Sequence, residues 1–207
     1  MRVGTKSILF GVHQFLLHPA LLWEAWRRLY GVPLDPRLYV AFAVHDLGYI
    51  GRRNMDGFDS EKHVELGAKI MKTLFGPSWG EFCGCHSRYY ARSRGLQVSR
   101  LCVADKLAFV LTPAWLYLTM GRATGGLDEY MDKSQERQAG STAFSEQERG
   151  QIESGDAKLW LRGLQSYTRR WIEQHRNGGP DTWTAVVTTP GALRAGSQEP
   201  LENNQAK

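Results

Sequence analysis

The stretch Ala41-Phe42-Ala43-Val44-His45-Asp46-Leu47-Gly48-Tyr49 decides the reading of this chain. An apolar run ends abruptly in His-Asp and then a Gly. The pair offers a neutral nitrogen beside an anionic oxygen, a combination that borderline divalent metals accept. The apolar residues before it would hold the pair in a dry, fixed place. Outward from it the chain supplies more of the same chemistry. Downstream stand His63, His86 and Asp105, at steps of 18, 23 and 19 residues; upstream stand His13 and His18. Each step is about one helix plus a loop. Ligands converging from successive helices of one bundle would be spaced this way. Of six histidines in the chain, five fall within the first 86 residues, which concentrates them around the His-Asp pair.

Helical periodicity marks the elements that would carry these groups. Leu22, Trp26 and Leu29 predict a helix over 19–30, with Pro19 in its first turn and Gly31 at its end. Asp35 is a candidate N-cap for a helix over 36–47. The segment "GYIGRRNMDGFDS" reads as a Gly-rich, basic loop. Ser60 opens a helix whose inner face is Val64, Gly67, Ala68, Met71 and Leu74. After "FGPSWG" a further helix begins near Trp79 and carries Cys83 and His86. "SRYYARSRGLQ" reads as an arginine-rich connection, and Ser99 as the cap of a helix over 100–111 bearing Asp105 and Lys106. Residues 1–17 read as mixed, with a helical turn around His13. A short helix holds Leu127, Tyr130 and Met131, and 133–150 reads as a polar surface loop. Trp160, Leu164, Tyr167 and Trp171 mark a last amphipathic helix. The domain is assigned to residues 1–176. Residues 177–207, rich in Gly, Pro, Gln and Asn at their end, read as a flexible, disordered C-terminal tail. Within that tail "WTAVVTT" (183–189) is β-prone without an evident partner.

The composition, 207 residues with 42% hydrophobic and 23% charged, suits one domain with a real core. A net charge of +5 fits a small anionic substrate, and no stable nucleic-acid partner is predicted. Cys83, Cys85 and Cys102 are an odd set, and Cys83-Gly-Cys85 is too tight for a zinc knuckle. They read as reduced thiols of a cytoplasmic protein, with Cys85 packed in the core rather than at the metal site. "SILFGV" resembles a signal peptide only faintly, because His13, Gln14 and His18 break it. The apolar run over 107–120 is interrupted by Pro113 and short of the roughly 20 residues that span a bilayer. It reads as a buried helix and turn, so no transmembrane segment is expected. The abundant aromatic residues would also allow a homodimer face.

The order His … His45-Asp46 … His63 … His86 … Asp105 resembles the HD-domain superfamily, named for its His-Asp pair, and most closely the branch with extra histidines and two metals. "AFAVHDLGYI" is similar to the family's His-Asp element, "SEKHVELGAKIM" to the segment around its third histidine, and "VADKLAFV" to its closing Asp-Lys helix. The resemblance covers residues 10–120 and implies an all-α, HD-domain-like compact helical bundle. It also implies two divalent cations drawn from Mn, Zn, Mg, Ni or Fe. One would take an upstream His, His45, Asp46 and Asp105; the other would take Asp46 as a bridge, with His63 and His86. His18 opens the helix before the His-Asp element, as the family's first His does, and is the preferred ligand. His13 is the alternative, about 140° away around a continuous helix.

By resemblance the protein is a metal-dependent phosphohydrolase acting through a metal-activated hydroxide, which two cations about 3.5–4 Å apart can hold against a phosphoryl group. Asp46 and Lys106 are the catalytic candidates, with Lys106 neutralising a phosphate oxygen or pairing with Asp46. Arg52 and Arg53 after the His-Asp pair, and Arg88, Tyr89 and Arg92 after His86, are the substrate-binding candidates. Guanidinium forks suit phosphate and tyrosine stacks on a base, so the expected substrate is a small phosphorylated molecule of nucleotide size. The chain departs from the family at Tyr49, where many two-metal phosphodiesterases carry Lys, and it lacks the His-Asp-x-x-Glu-Asp signature of the alarmone hydrolases. The same four-His, two-Asp set serves HD proteins with a di-iron centre that activates oxygen, so a di-iron oxygenase is the alternative reading. A non-catalytic module stabilised by metal is the third.

Overall fold

Every regular element among the described residues is an α-helix or a 3₁₀ turn. The computed structural model of the protein describes residues 2–53, 58–138 and 141–176. The all-α expectation therefore holds for the described residues. The expected tail and its β-prone segment lie outside them.

Helix α1 (Val3–Phe10) ends at Gly11, and a turn carrying His13 leads into α2 (Leu17–Tyr30). His18, Leu22, Ala25 and Trp26 form the buried stripe of α2, the i, i+4, i+7, i+8 pattern of an amphipathic helix. Gly31 at φ 84° closes it, a conformation that glycine adopts without Cβ strain. The Asp35 carboxylate accepts from the Arg37 N–H, and Pro36 starts α3 (Pro36–Val44). That helix is shorter than the predicted 36–47: past His45 the backbone tightens into a 3₁₀ turn, Leu47–Tyr49. Helix α4 (Phe58–Glu61) contains Ser60 rather than being capped by it, and α5 (Val64–Phe75) starts only after His63. Val64, Gly67, Ala68 and Met71 are buried as predicted, but Leu74 is 59% exposed. Leu74 lies in the last turn of α5, two residues before Gly76 ends the helix.

Gly76 and Pro77 separate α5 from α6 (Pro77–Gly84), and His86 lies just past the end of α6 rather than within it. The expected connection 87–97 contains a short helix, α7 (Arg88–Ser93), nucleated by Ser87, whose hydroxyl accepts the Tyr90 N–H. Helix α8 (Arg100–Leu111) carries Asp105 and Lys106. Leu101, Cys102, Val103, Ala104, Ala108 and Val110 are buried around much of its circumference, the mark of a core helix. It packs against α2 on one side and α12 (Ala157–His175) on the other, and so joins the two halves of the apolar core. Ser99 precedes it without a side-chain cap.

Between these, α9 (Ala114–Thr124) follows Pro113, and α10 (Leu127–Gln138) and α11 (Glu146–Glu153) both run into the segment 133–150 expected to be a loop. Trp160, Tyr167 and Trp171 of α12 are buried as their spacing predicts. Cys83, Cys85 and Cys102 are buried and form no disulfide among the described residues. No single described helix is long and apolar enough to cross a membrane; α8 and α9 have the combined length but bend by 99°.

A polar knot fixes α11 on α12. Ser145 and Glu148 exchange capping-box bonds, and the same carboxylate accepts from Ser166 and Arg170. Burial would raise the Glu148 carboxyl; these donors hold it below its ordinary value of 4.5. A depressed folded-state pKa adds stability above that ordinary value and loses it as pH falls through the folded one. Glu148→Ala is therefore expected to cost about 1–3 kcal/mol near pH 7. Melting curves recorded down a pH series should show its deficit against wild type shrinking as the acid limb is entered.

Candidate metal centre

Three ligand candidates sit at helix ends, and the same local device aims each one. The last carbonyls of a helix lack intrahelical partners. The Nδ1 atoms of His45, His63 and His86 lie 3.1, 2.7 and 2.6 Å from the carbonyl oxygens of Phe42, Ser60 and Cys83, each three residues back. A carbonyl only accepts, so each Nδ1 carries the proton and each Nε2 points inward. A ring N–H held this way fixes tautomer and orientation, as the supporting bond of a metal ligand does.

The inward nitrogens meet in two pairs. His18 Nε2 lies 3.2 Å from His45 Nε2, and His63 Nε2 lies 3.1 Å from His86 Nε2. Asp46 stands between the pairs. Its Oδ2 faces His18 at 3.5 Å and His45 at 3.3 Å; its Oδ1 faces His63 at 3.6 Å and His86 at 3.4 Å. Asp105 Oδ1 joins the first pair, 3.2 Å from His18. His18, His45 and Asp46 form one buried group able to hold an ion, and Asp46, His63 and His86 a second. Asp46 reaches this place because its backbone leaves the helix, at φ −98°, ψ −1°.

The donor set fits divalent cations. Burial, with His86 alongside, pushes His63 down to about 3, so it is a neutral donor at pH 7. Burial alone would raise the Asp46 carboxyl; the partnering His45 and His86 hold it well below the usual carboxylate range, and the negative charge stays. Burial likewise opposes ionisation of Asp105, and Lys106 and His18 overcome it. A cation about 2.0–2.1 Å from two imidazole nitrogens sets them about 3.0–3.4 Å apart, depending on the coordination angle. The observed 3.1 and 3.2 Å separations fall in that range.

Close backbone contact keeps the two pairs together. A Cβ on Gly48 would lie 1.8 Å from the His63 carbonyl oxygen, and one on Gly67 2.9 Å from the Cα of His45. Only glycine lets the 3₁₀ turn and α5 approach so closely. Tyr49 then stacks flat on His63, with ring centroids 4.1 Å apart.

The six predicted ligands His18, His45, Asp46, His63, His86 and Asp105 come together. His13 does not join either group. Its Nδ1 lies 3.0 Å from Ser7 Oγ, and its ring packs beside Tyr49 and His18 at the mouth of the centre. Lys106 Nζ binds Asp105 Oδ2 at 2.8 Å rather than Asp46. The Arg52 guanidinium donates to the Gly48 carbonyl, and Arg53 is exposed. Arg88 donates to the Tyr167 hydroxyl and lies 4.8 Å above the Trp171 ring, while its charge still acts on Glu61 and Lys106. Arg92 is exposed on α7, and Tyr89 is half-buried there.

The sequence reading missed Glu61 and Ser87. Ser87 Oγ donates to Glu61 Oε2 at 2.9 Å, tying the turn before His63 to the turn after His86. The available signal was position: Glu61 precedes one ligand by two residues and Ser87 follows the other directly. No protein-family model matches the chain, and neither does any curated protein or any solved structure.

The Glu61–Ser87 tie is expected to matter most for the ion between His63 and His86. Glu61→Ala should weaken binding of a second equivalent of metal about 10–100-fold, the usual range for residues that support ligands. Glu61→Gln keeps an acceptor for Ser87 and should lose less. Metal-to-chain ratios after dialysis against graded free metal read the difference.

Proposed function

We propose that the protein is a metal-dependent phosphohydrolase of the HD superfamily, acting on a small phosphorylated molecule. The observation that carries the reading is Asp46, whose two oxygens address two separate histidine pairs. Among the described residues no Lys or Arg forms an ion pair with it. Its charge is thus left for metal, and a shared carboxylate is what a two-cation centre needs. Cations held there supply Lewis acidity toward a phosphoryl oxygen and lower the pKa of a bound water toward about 7.

The chain's own groups account for the rest. Asp46 and Asp105, held ionised, keep the centre ready for cations at neutral pH. Lys106 is kept charged by Asp105 although burial opposes it, and about a third of its side chain is exposed. It offers an ammonium to a phosphate oxygen at the rim. Ile8, Phe15, Pro19, Phe42, Ala43 and Leu47 wall the hollow over His18, His45 and Asp46. These walls limit bulk water, and electrostatic contacts strengthen where water is excluded.

Tyr49 favours the second reading, a di-iron oxygenase. Where many HD phosphodiesterases carry a lysine, this chain has a buried phenol stacked on His63, with burial raising it well above the usual tyrosine range. A neutral aromatic there removes one cationic contact for phosphate.

The test is elemental analysis of the purified protein, followed by assay of phosphate esters with the metal found. His45→Ala and Asp46→Ala are each expected to reduce hydrolysis at least about a hundredfold, beyond the usual effect of residues that only support a ligand. Full activity in either variant sinks the phosphohydrolase. Two irons per chain, with substrate-dependent oxygen consumption and no ester hydrolysis, would move the assignment to the oxygenase.

A further inference from the structure

The α2–α3 seam has two unlike ends. At one end lies the hollow over His18, His45 and Asp46. At the other lies an open groove of about 350 Å³ lined by Pro19, Ala20, Trp23, Tyr39 and Phe42. Pro19 and Phe42 border both, so the groove adjoins the hollow over the metal ligands.

The groove has the chemistry of a ring-binding site. Three of its five lining residues are aromatic, and none is charged. Tyr39 is 48% exposed, and its hydroxyl is bonded to the Pro33 carbonyl at 3.0 Å. Its ring is therefore held in place and offers a face. Trp23 is half-buried, and its indole N–H makes no hydrogen bond to a described residue. It is a donor available to a ring heteroatom, which an alkyl chain would leave unused.

Spacing links the two ends. Trp23 lies five residues beyond His18, and Tyr39 six before His45. At about 1.5 Å of rise per residue, Trp23 and Tyr39 stand roughly 8–9 Å along the helix axes from the ligand-bearing residues, at the far edge of a groove that begins at Pro19 and Phe42. That is about the reach of a pentose joining a phosphate to a base.

We propose that this groove seats the nucleobase of a nucleoside phosphate whose phosphate end lies at the His18–His45–Asp46 cluster. The assignment rests on the phosphohydrolase reading for the phosphate end only; the groove makes its own prediction about the base. Stacking on Tyr39 and Trp23 supplies affinity, and the Trp23 N–H favours a heteroaromatic ring over a plain hydrocarbon. With no charged lining, the groove selects uncharged rings.

Nucleosides test this without hydrolysis, since they carry no phosphate ester. Adenosine, guanosine, cytidine and uridine, with ribose as control, are titrated by NMR into the full-length protein as purified. At least one nucleoside is expected to bind at least about tenfold more tightly than ribose, within the range for stacking one base on aromatic side chains. Tyr39→Leu and Trp23→Leu should each erase that preference, while Tyr39→Phe, which keeps the ring, should retain it. If every nucleoside binds no better than ribose, the base site is refuted, whatever the protein hydrolyses. If a nucleoside binds equally to wild type and both leucine variants, the ring sits elsewhere and the proposal is likewise refuted. If the nucleoside preference is seen but no phosphate ester is cleaved with any metal, the groove stands and the phosphohydrolase falls.

Discussion

A carboxylate buried among four imidazoles is the constraint on which the architecture depends. Asp46 is 7% exposed, and an isolated anion at such a site would cost several kcal/mol through lost hydration. Asp105 shares the cluster and has its own cation in Lys106. Asp46 faces only histidines, and for His45, His63 and His86 the Nδ1–carbonyl bond turns Nε2 inward. An imidazole relieves the anion only while its Nε2 carries a proton, the form that, against burial, Asp46 and Asp105 favour at His45. Divalent cations need no such proton, because they turn every one of those contacts into an attraction.

Much of the fold is arranged to meet that requirement. The three imidazoles bond to helix-end carbonyls, two of which, Ser60 and Cys83, also accept the backbone N–H of the same histidine, so aiming the ligands and finishing the helices are one operation. Gly48 and Gly67 remove the side chains that would keep the His-Asp turn and α5 apart. Helix α8, buried around much of its circumference, delivers Asp105 from the centre of the molecule and is braced by α12 behind it. The helices after α8 thus carry none of the six ligands, yet α12 braces the helix that supplies the last one.

The ligand set was legible because its residue types are rare in the chain and its spacing repeats. Helix positions were legible where apolar residues alternate with polar ones, as in α2 and α12. Boundaries failed where side chains decide them. Helix α3 stops early because the backbone turns at Asp46 to present the carboxylate, which periodicity does not register. Helix α11 escaped because it is polar; its signature was Ser145 with Glu148 three residues on, a capping box without the apolar run that normally announces one. Ser60 suits a helix start by its residue type, whereas in the structure its carbonyl serves His63. The Glu61–Ser87 tie joins residues 26 apart, and no local pattern encodes such a pair.

Tyr49 sets a phenol, not a cation, against His63. Cations act on the centre from α7 and α8, where Lys106 pairs with Asp105 and Arg88 acts on Glu61. Toward α2 and α3 the lining is apolar and aromatic. A ligand with a uniform surface gains nothing from such a gradient. One with an anionic end and a ring end is oriented by it, because reversal would desolvate the anion against Trp23 and Tyr39 and leave the metal ligands unpaired. On the proposed reading, specificity arises from that polarity along one seam rather than from any single arginine.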